Sequence, residues 1–381
     1  MKQISSLDEL SMSSAPSLYQ NSDDDWSYIE NLLPKDWKSS CRSYDVLKGN
    51  RKIKCHAILL RVLFLHIARG YSLAETSVRS KLSGLLDISD VGILNILQRG
   101  ELWLKDMCEK LYLEQEAISI SSFNKKIRLI DGTIVREPGK TGSQWRINYS
   151  FSLPNFECDY FDLVSSKGKG NGESIKRYPL QEGECIIADR NYSIAEQIAY
   201  VKESKADIIV RFNQSLSLYQ NNVKIDLLSN LASLKKAGDF KELDVEINNG
   251  DNVIEGRVCA IRKDKRAIDE TIKKIKRKAS KKSTKNIRPQ TLEYAKYIIV
   301  FTTLSKEEYS ASQALEWYRI RWQIELVFKR LKSIISLSHL PKKNDRSSKA
   351  WIYGKLLIGL LTEKLIRYSK TISPWGYSFK I

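Results

Sequence analysis

The sequence is poor in histidine and has no paired cysteines. Only three of its 381 residues are histidine, and its six cysteines are scattered without a C-x-x-C pair. Zinc sites and disulfide frameworks need clustered cysteine or histidine, so the sequence predicts neither, and we expect free thiols. Carboxylates remain as the only plentiful groups for catalysis or for metal binding.

Long apolar runs are also absent. The longest ones, 58–68 and 356–361, fall well short of the roughly 20 residues that a membrane-spanning helix needs. The N-terminus does not combine a charged region, an apolar stretch and a small-residue cleavage site, as a secretory signal does. We therefore expect a cytoplasmic protein that makes no contact with a membrane.

Negative charge is scarce relative to positive charge. The 63 lysines and arginines outnumber the 45 acidic residues, which gives a formal net charge of +18. This excess of cations implies a polyanionic partner, and nucleic acid is favoured over an anionic membrane surface. The length exceeds the usual size of a single hydrophobic core, so we expect two or three structural units.

Residues 52–112 have the spacing of helices. Apolar residues recur at helical intervals, Ser72 and Glu75 form a capping box at the start of one helix, and Ser89 or Asp90 caps the next. Two short helices joined in this way resemble a helix-turn-helix, which is a DNA-binding layout. Plain packing of a short helical pair is the equally weighted alternative.

After residue 121 the apolar pattern becomes strand-like. Three closely spaced strands are followed by a strand, a helix and another strand, at 125–135, 144–153, 160–166, 184–189, 194–203 and 206–212. This is the order of elements in a ribonuclease-H-like sheet, although unrelated α/β proteins also contain it. The expected fold class is α/β, with a mixed sheet, flanking helices, a β-rich insertion and a helical N-terminal domain.

Two aspartates follow apolar strands. Asp131 is placed by the sequence at the end of IRLID, and Asp189 at the end of CIIAD. An Asp-Gly pair such as Asp131-Gly132 is by itself more often a plain turn. Adjacent strands, however, would bring the two carboxylates within reach of one hard divalent cation, which prefers oxygen ligands.

A predicted long helix at 310–336 carries the most specific pattern. Tyr318, Arg321, Glu325 and Lys332 fall on one narrow face, and the apolar side chains fall on the adjoining face. A surface helix with mixed charge is the alternative interpretation. That alternative does not explain why one acid stands among two cations and a tyrosine beside the buried face.

The spacing Tyr318-x2-Arg321-x3-Glu325-x6-Lys332 resembles the Y-R-E-K signature of the insertion sequence 4 family of transposases, which belongs to the DDE superfamily. IRLIDGT is similar to the family's first-Asp block, QWRINY to its next strand and IIADRNY to its second-Asp block. Asn191 is a departure, because a glycine commonly stands there in the family.

The resemblance implies a cut-and-paste DNA transposase with a ribonuclease-H-like core. Its catalytic residues and metal ligands would be Asp131, Asp189 and Glu325, which would hold two Mg²⁺ ions, with Mn²⁺ as a substitute, for two-metal phosphoryl transfer. Residues expected to contact DNA near the scissile bond are Tyr318, Arg321, Lys332 and Arg190.

The partners implied are double-stranded DNA, as terminal inverted repeats and target, and a second copy of the chain in an active homodimer. The expected location is the nucleoid of a prokaryotic host. Two alternatives stay open: a structure-specific metal-dependent nuclease that uses the same acids without strand transfer, and a catalytically silent DNA-binding relative.

The segment 262–288 is strongly basic. It contains thirteen lysines and arginines against three acids, and its isoleucines keep helical spacing. We expect a helix that tracks a DNA backbone, and a solvated charged loop is the alternative. The DNA-contacting candidates here are Lys273, Lys274, Lys276, Arg277 and Lys278.

The expected domain organisation has five parts. They are a mobile tail at 1–25, a helical N-terminal domain with possible DNA binding at 26–120, the first part of the catalytic core at 121–212, a β-rich insertion with the basic segment at 213–296, and the second part of the core with the Glu-bearing helix at 297–381.

Overall fold

A computed structural model describes most of the chain. The described residues are 22–49, 53, 55–116, 125–136, 144–153, 157–168, 170–281, 286–333, 336–337, 340–341 and 344–371. The predicted N-terminal tail lies outside them up to residue 21, and residues 22–25 belong to the first helix.

Helices form the N-terminal part. They are α1 (Ser22–Leu32), α2 (Trp37–Ser43), α3 (His56–Ile67), α4 (Leu73–Leu82), α5 (Asp90–Arg99) and α6 (Glu101–Glu116). The predicted starts of two of them are confirmed, because Ser72 Oγ accepts from Glu75 N at 3.1 Å and Ser89 Oγ accepts from Gly92 N at 3.2 Å. Each bond satisfies an N–H group that the helix itself leaves unpaired.

The predicted order of three antiparallel strands, a strand, a helix and a strand is confirmed. The elements are β1 (Ile127–Arg136), β2 (Gln144–Leu153), β3 (Glu157–Ser165), β4 (Cys185–Ala188), α7 (Ala195–Glu203) and β5 (Asp207–Arg211). β1 pairs with β2 and β2 with β3 in antiparallel fashion, while β4 lies parallel to both β1 and β5. This is the ribonuclease-H-like arrangement.

The strands of the predicted insertion continue the same sheet. Its elements, with the strand that follows, are β6 (Tyr219–Gln220), β7 (Val223–Lys224), α8 (Leu227–Leu231), β8 (Phe240–Asn249), β9 (Asn252–Arg262), α9 (Lys265–Lys281), α10 (Pro289–Tyr294) and β10 (Tyr297–Thr302). β10 pairs with β5 on one side and β9 on the other, so one ten-stranded sheet has the order β3-β2-β1-β4-β5-β10-β9-β8-β6-β7. Whether residues 213–296 act as a separate domain stays a prediction.

Each face of the sheet has its own hydrophobic core. Ile127 and Leu129 point to one face, where they pack with the N-terminal and C-terminal helices. Ile130 points to the other face, where it packs with residues of α7 and α8. Successive side chains of a strand alternate between faces, so Asp131 lies on the same face as Leu129.

The predicted continuous helix at 310–336 is wrong in one respect. Two helices, α11 (Ala311–Ile320) and α12 (Trp322–Ser333), meet at Arg321. At this junction Arg321 N donates to Tyr318 O and Ile324 N to Arg321 O, which are contacts three residues apart instead of the four of an α-helix.

The last described helix is α13 (Asp345–Thr371), which packs against α6 and also contacts α5. Within the described part of the chain, no helix is both long and apolar enough to cross a bilayer.

Candidate active site

Asp131 lies in β1, and Asp189 directly follows the neighbouring parallel strand β4. The register pairs Leu129 of β1 with Ile187 of β4, and each aspartate comes two residues later, on the same face. Asp131 is not at the end of its strand, as the sequence suggested, because β1 continues to Arg136 along β2. The pairing of β1 with β4 does end just before it, so the two carboxylates meet where β4 stops.

Backbone N–H groups orient both carboxylates. Asp131 Oδ1 accepts from Gly132 N at 2.8 Å, and Asp189 Oδ1 accepts from Asn191 N at 2.6 Å. Tyr178 Oη also donates to the carbonyl oxygen of Asp131 at 2.9 Å, which fixes the backbone there. The second oxygen of each carboxylate receives no hydrogen bond from the residues that the structure describes.

Both aspartates are costly to ionise in the free protein. Burial is the main reason why the pKa of Asp131 is raised to about 7; the Gly132 N–H and Arg321 act to lower it, and the neighbouring Asp189 carboxylate acts to raise it. Burial also raises the pKa of Asp189. Two partly buried acids that repel one another favour a bound cation between them, so this pair fits a divalent metal ion.

Glu325 lies at the start of α12, across a groove from Asp131. This groove, the Glu325 groove, has a volume of about 520 Å³ and is lined by Asp131, Gly132, Thr133, Glu325, Phe328, Lys329, Lys332 and Ser333. The Glu325 side chain is 58% exposed and forms an ion pair with Arg321. Asp131, Glu325 and Lys332 therefore share one groove, as the predicted site requires.

Arg321 stands among the three predicted acids. Burial opposes its charge, but Tyr318, the hydrogen-bonded Glu325 and then Asp131 raise its pKa. Its guanidinium also lies over the buried ring of Tyr318, 5.8 Å from the centroid. In this conformation Glu325 is not gathered with the two aspartates, and no group of three metal-binding side chains occurs among the described residues.

A second groove borders Asp189 and is rich in cations. This Asp189 groove has a volume of about 470 Å³ and is lined by Asp189, Arg190, Asn191, Arg211, Gln214, Thr271, Ile275, Lys278, Thr291, Tyr294, Ala295, Tyr318 and Arg321. The Y-R-E-K residues thus span both grooves, with Tyr318 and Arg321 in this one and Glu325 and Lys332 in the other.

The cations around the Asp189 groove are poorly compensated. Burial, followed by the charge of Arg211, lowers the pKa of Arg190. Burial, then Arg211, Arg190 and Lys274, lowers the pKa of Lys263 to about 8. In the described part of the chain, no acid lies within 4 Å of the charged groups of Arg190, Arg211, Lys263 and Lys274. The groove is therefore suited to an anion.

The predicted basic segment contains a 17-residue helix, α9. Its Thr271, Ile275 and Lys278 line the Asp189 groove. All five DNA-contacting candidates of this helix are exposed: Lys273, Lys274, Lys276, Arg277 and Lys278. Lys282 and Lys285 lie outside the described residues. The contact of α9 with DNA stays a prediction.

Two residues of the site gave no usable sequence signal. Glu173 lies in a glycine-rich loop, yet its carboxylate accepts from Asn191 Nδ2 at 2.8 Å and pairs with Arg146. Arg211 ends a strand that the sequence identifies only as buried. Since loop residues lack a period, only long-range contacts bring such side chains to a site.

Comparisons with known proteins show the family of the chain. Residues 168–361 match the transposase DDE domain. The chain is 30% identical over 367 residues to the putative transposase InsL of insertion sequence element IS186A from Escherichia coli K12, covering 93% of this chain and 97% of that protein.

Two further relatives carry similar names. The transposase of insertion sequence element IS421 from Escherichia coli is 30% identical over 368 residues, again covering 93% and 97% of the two chains. The transposase of IS231F from Bacillus thuringiensis subsp. israelensis is 21% identical over 282 residues, which is 66% of this chain and 58% of that one. The chain therefore belongs to the DDE transposases, of the insertion sequence 4 type.

Proposed function

We propose that Asp131, Asp189 and Glu325 are the catalytic acids of this transposase, and that they hold two divalent metal ions, Mg²⁺ or Mn²⁺. The enzyme acts on DNA, and its family membership implies dependence on a divalent metal. The observation that carries the residue assignment is the register of β1 and β4, which sets two partly buried carboxylates side by side.

Each acid has a distinct position for this task. Asp131 lies between the other two, next to Asp189 along the sheet and across the Glu325 groove from Glu325. Asp131, Asp189 and Glu325 would together hold the ions. When bound, the ions would activate a water or 3′-hydroxyl and stabilise the leaving oxygen.

Glu325 must change partners for this arrangement to form. Its carboxylate is paired with Arg321 in the free protein, and its exposed position on α12 leaves room to turn toward Asp131. Arg321 then becomes available to a phosphate. We infer that Tyr318, Arg321 and Lys332 hold phosphates beside the scissile bond, where cations stabilise the charge that concentrates in the transition state.

The Asp189 groove offers a path for the DNA strand next to that bond. Arg190, Arg211 and Lys278 line it, and Lys263 lies beneath, where its Nζ donates to Thr271 Oγ1 at 3.1 Å. Its volume suits a single nucleotide unit rather than a duplex. We propose that the cleaved strand crosses this groove and that the outward lysines of α9 follow the adjoining duplex backbone.

The partners proposed are the terminal inverted repeats of an insertion sequence, target DNA and a second copy of the chain. A twofold homodimer presents two identical sites, which suits an element with two ends. Binding at the nucleoid would follow from these contacts.

Cleavage of labelled end DNA tests the assignment of the acids. Asp131→Ala, Asp189→Ala and Glu325→Ala should each abolish Mg²⁺-dependent nicking while end binding stays near that of the unmodified protein, because ligation and DNA contact reside on different residues. Near-normal cleavage by any variant removes that residue from the site. Adding target DNA separates a transposase from a nuclease, since only the former joins the strands.

A further inference from the structure

Glu173 connects the strands that carry the two aspartates. Its carboxylate pairs with Arg146 of β2 and accepts a hydrogen bond of 2.8 Å from Asn191, in the turn after β4. Its Cγ lies so near Gly132 of β1 that a Cβ there would stand 3.4 Å away. One side chain thus touches three consecutive parts of the sheet at the point where the acids meet.

Asn191 transmits this contact to Asp189. Its backbone N–H donates to Asp189 Oδ1 at 2.6 Å, and its side-chain amide donates to Glu173 Oε2. Fixing the side chain of Asn191 therefore also fixes the N–H group that orients the Asp189 carboxylate. A glycine at this position has no side-chain amide with which to form the hydrogen bond to Glu173. The connection between Glu173 and Asp189 therefore depends on a residue in which this sequence departs from its family.

The charge of Glu173 is held in a sheltered place. Its side chain is 19% exposed and that of its partner Arg146 is 11% exposed. After burial and other causes, its carboxylate also contributes to the raised pKa of both Asp131 and Asp189. An acid so placed stabilises a cation at the pair without having to bind it.

We propose that Glu173 is a positioning residue of the catalytic centre, which holds the Asp189 carboxylate ready for a divalent ion through its hydrogen bond with Asn191. The inference rests on the proposed role of Asp189. Partners that orient metal ligands typically account for 10- to 100-fold in metal affinity or activity.

Mn²⁺ binding to the DNA-free protein, followed by electron paramagnetic resonance, tests this without a reaction. In Glu173→Gln, an NH₂ group replaces one of the two oxygens that separately accept from Arg146 and from Asn191. This substitution should weaken Mn²⁺ binding about 10-fold or more. Glu196→Gln is the matched control, because that exposed carboxylate has Lys176 as its only ion-pair partner among the residues that the structure describes. The control should bind Mn²⁺ as the unmodified protein does.

A double-mutant cycle tests the route through Asn191. Asn191→Gly should weaken Mn²⁺ binding to a similar degree, and adding Glu173→Gln to it should weaken binding by less than about 2-fold more. A full further decrease in the Asn191→Gly background overturns the route. Should Glu173→Gln fail to fold, Asn191→Gly alone decides, since its side chain is exposed, and unchanged Mn²⁺ affinity overturns the proposal.

Asp189→Asn in the same assay distinguishes a wrong metal site from a wrong role for Glu173. If it leaves Mn²⁺ binding unchanged, the proposed metal site itself is wrong, and the inference falls with it. If Asp189→Asn abolishes binding but Glu173→Gln does not weaken it, only the inference is overturned.

Discussion

A few residues beside the two grooves are unfavourable in their charged forms. Burial raises the pKa of Asp131 to about 7, while burial and nearby cations lower the pKa of Lys263 to about 8. Both shifts mean that the charged form costs free energy in the unliganded fold. A cation at the first residue and a phosphate near the second would relieve these costs, so the strain of the free protein favours binding.

The pH dependence of stability should reveal the cost at Lys263. A folded-state pKa below the unfolded value of 10.5 means that the folded protein gives up this proton first, so its contribution to stability rises with pH between about 8 and 10.5. Below pH 8 the penalty is fully present. Because Lys263 is only partly buried, solvent screening reduces the effect, and denaturant unfolding of the unmodified protein and of Lys263→Met should diverge by about 1–2 kcal/mol across this window.

Below pH 8 the substitution Lys263→Met removes an unfavourable, partly buried charge from the free protein, but it should also weaken DNA binding. A phosphate near Lys263 favours its charged form, so Lys263→Met should weaken end binding at pH 7, and the difference should shrink as pH rises above 8. Parallel stability curves for the two proteins, or unchanged end binding, would contradict the account of this residue.

At the scale of elements, the Y-R-E-K residues are divided between two grooves. Glu325 and Lys332 line one groove, and Tyr318 and Arg321 line the other. Arg321 pairs with Glu325 in the free protein, and we propose that it contacts a phosphate in the complex. Its removal should therefore have effects of opposite sign on metal binding and on catalysis.

Arg321→Ala should strengthen Mn²⁺ binding to the DNA-free protein and slow strand cleavage, by several kcal/mol of activation free energy at most. Lys332→Ala is the comparison, since Lys332 is not paired with Glu325: it should slow cleavage without strengthening Mn²⁺ binding. Normal cleavage by both variants would mean that this helix face does not meet the DNA.

Helix α9 allows a matched comparison of charges. Neutralising Lys273, Lys274, Lys276, Arg277 and Lys278 together should lower affinity for all DNA sequences about equally. The slope of log affinity against log salt should become shallower by roughly 0.9 for each phosphate that the variant no longer neutralises.

Within this set, Lys278→Gln alone tests the Asp189 groove, and Lys276→Gln is the control of equal charge on the exposed surface. Only the former should also slow cleavage of bound DNA. An unchanged salt slope in the five-fold variant would refute the contact between α9 and DNA.

The apolar strands before Asp131 and Asp189 could be recognised from the sequence, because local alternation and strand order encode them. The junction at Arg321 could not, since Ile320, Arg321 and Trp322 all suit a helix. Glu173 was missed because its contacts join residues distant in sequence. Local pattern thus located the predicted acids but not the groups that orient them.

At the scale of the whole molecule, a single ten-stranded sheet contains the strands of the core and those of the predicted insertion. The β5–β10–β9 pairing joins strands that are far apart in sequence to the core, a pairing that local pattern does not reveal. Residues 213–296 expressed alone would lack β10, the partner of β9. We expect that fragment to show no cooperative thermal transition by circular dichroism, and a sharp transition would favour an autonomous domain.

The overall charge of +18 suits a protein that binds DNA over a large surface. The proposed homodimer would present two such surfaces. Mass photometry with and without end DNA checks this: we expect complexes that contain two chains and two ends. Complexes with a single chain that still cleave DNA would argue against the dimer.

Direct contact of Asp131, Asp189 and Glu325 with the metal ions can be tested by changing the chemistry of each ligand. Asp131→Cys, Asp189→Cys and Glu325→Cys each replace a hard oxygen ligand by a softer thiolate, which Mg²⁺ accepts poorly. Strand cleavage by each variant should be abolished in Mg²⁺ and partly restored in Mn²⁺. Cleavage in Mg²⁺ at the rate of the unmodified protein, or an equal decrease in both metals, would contradict direct ligation.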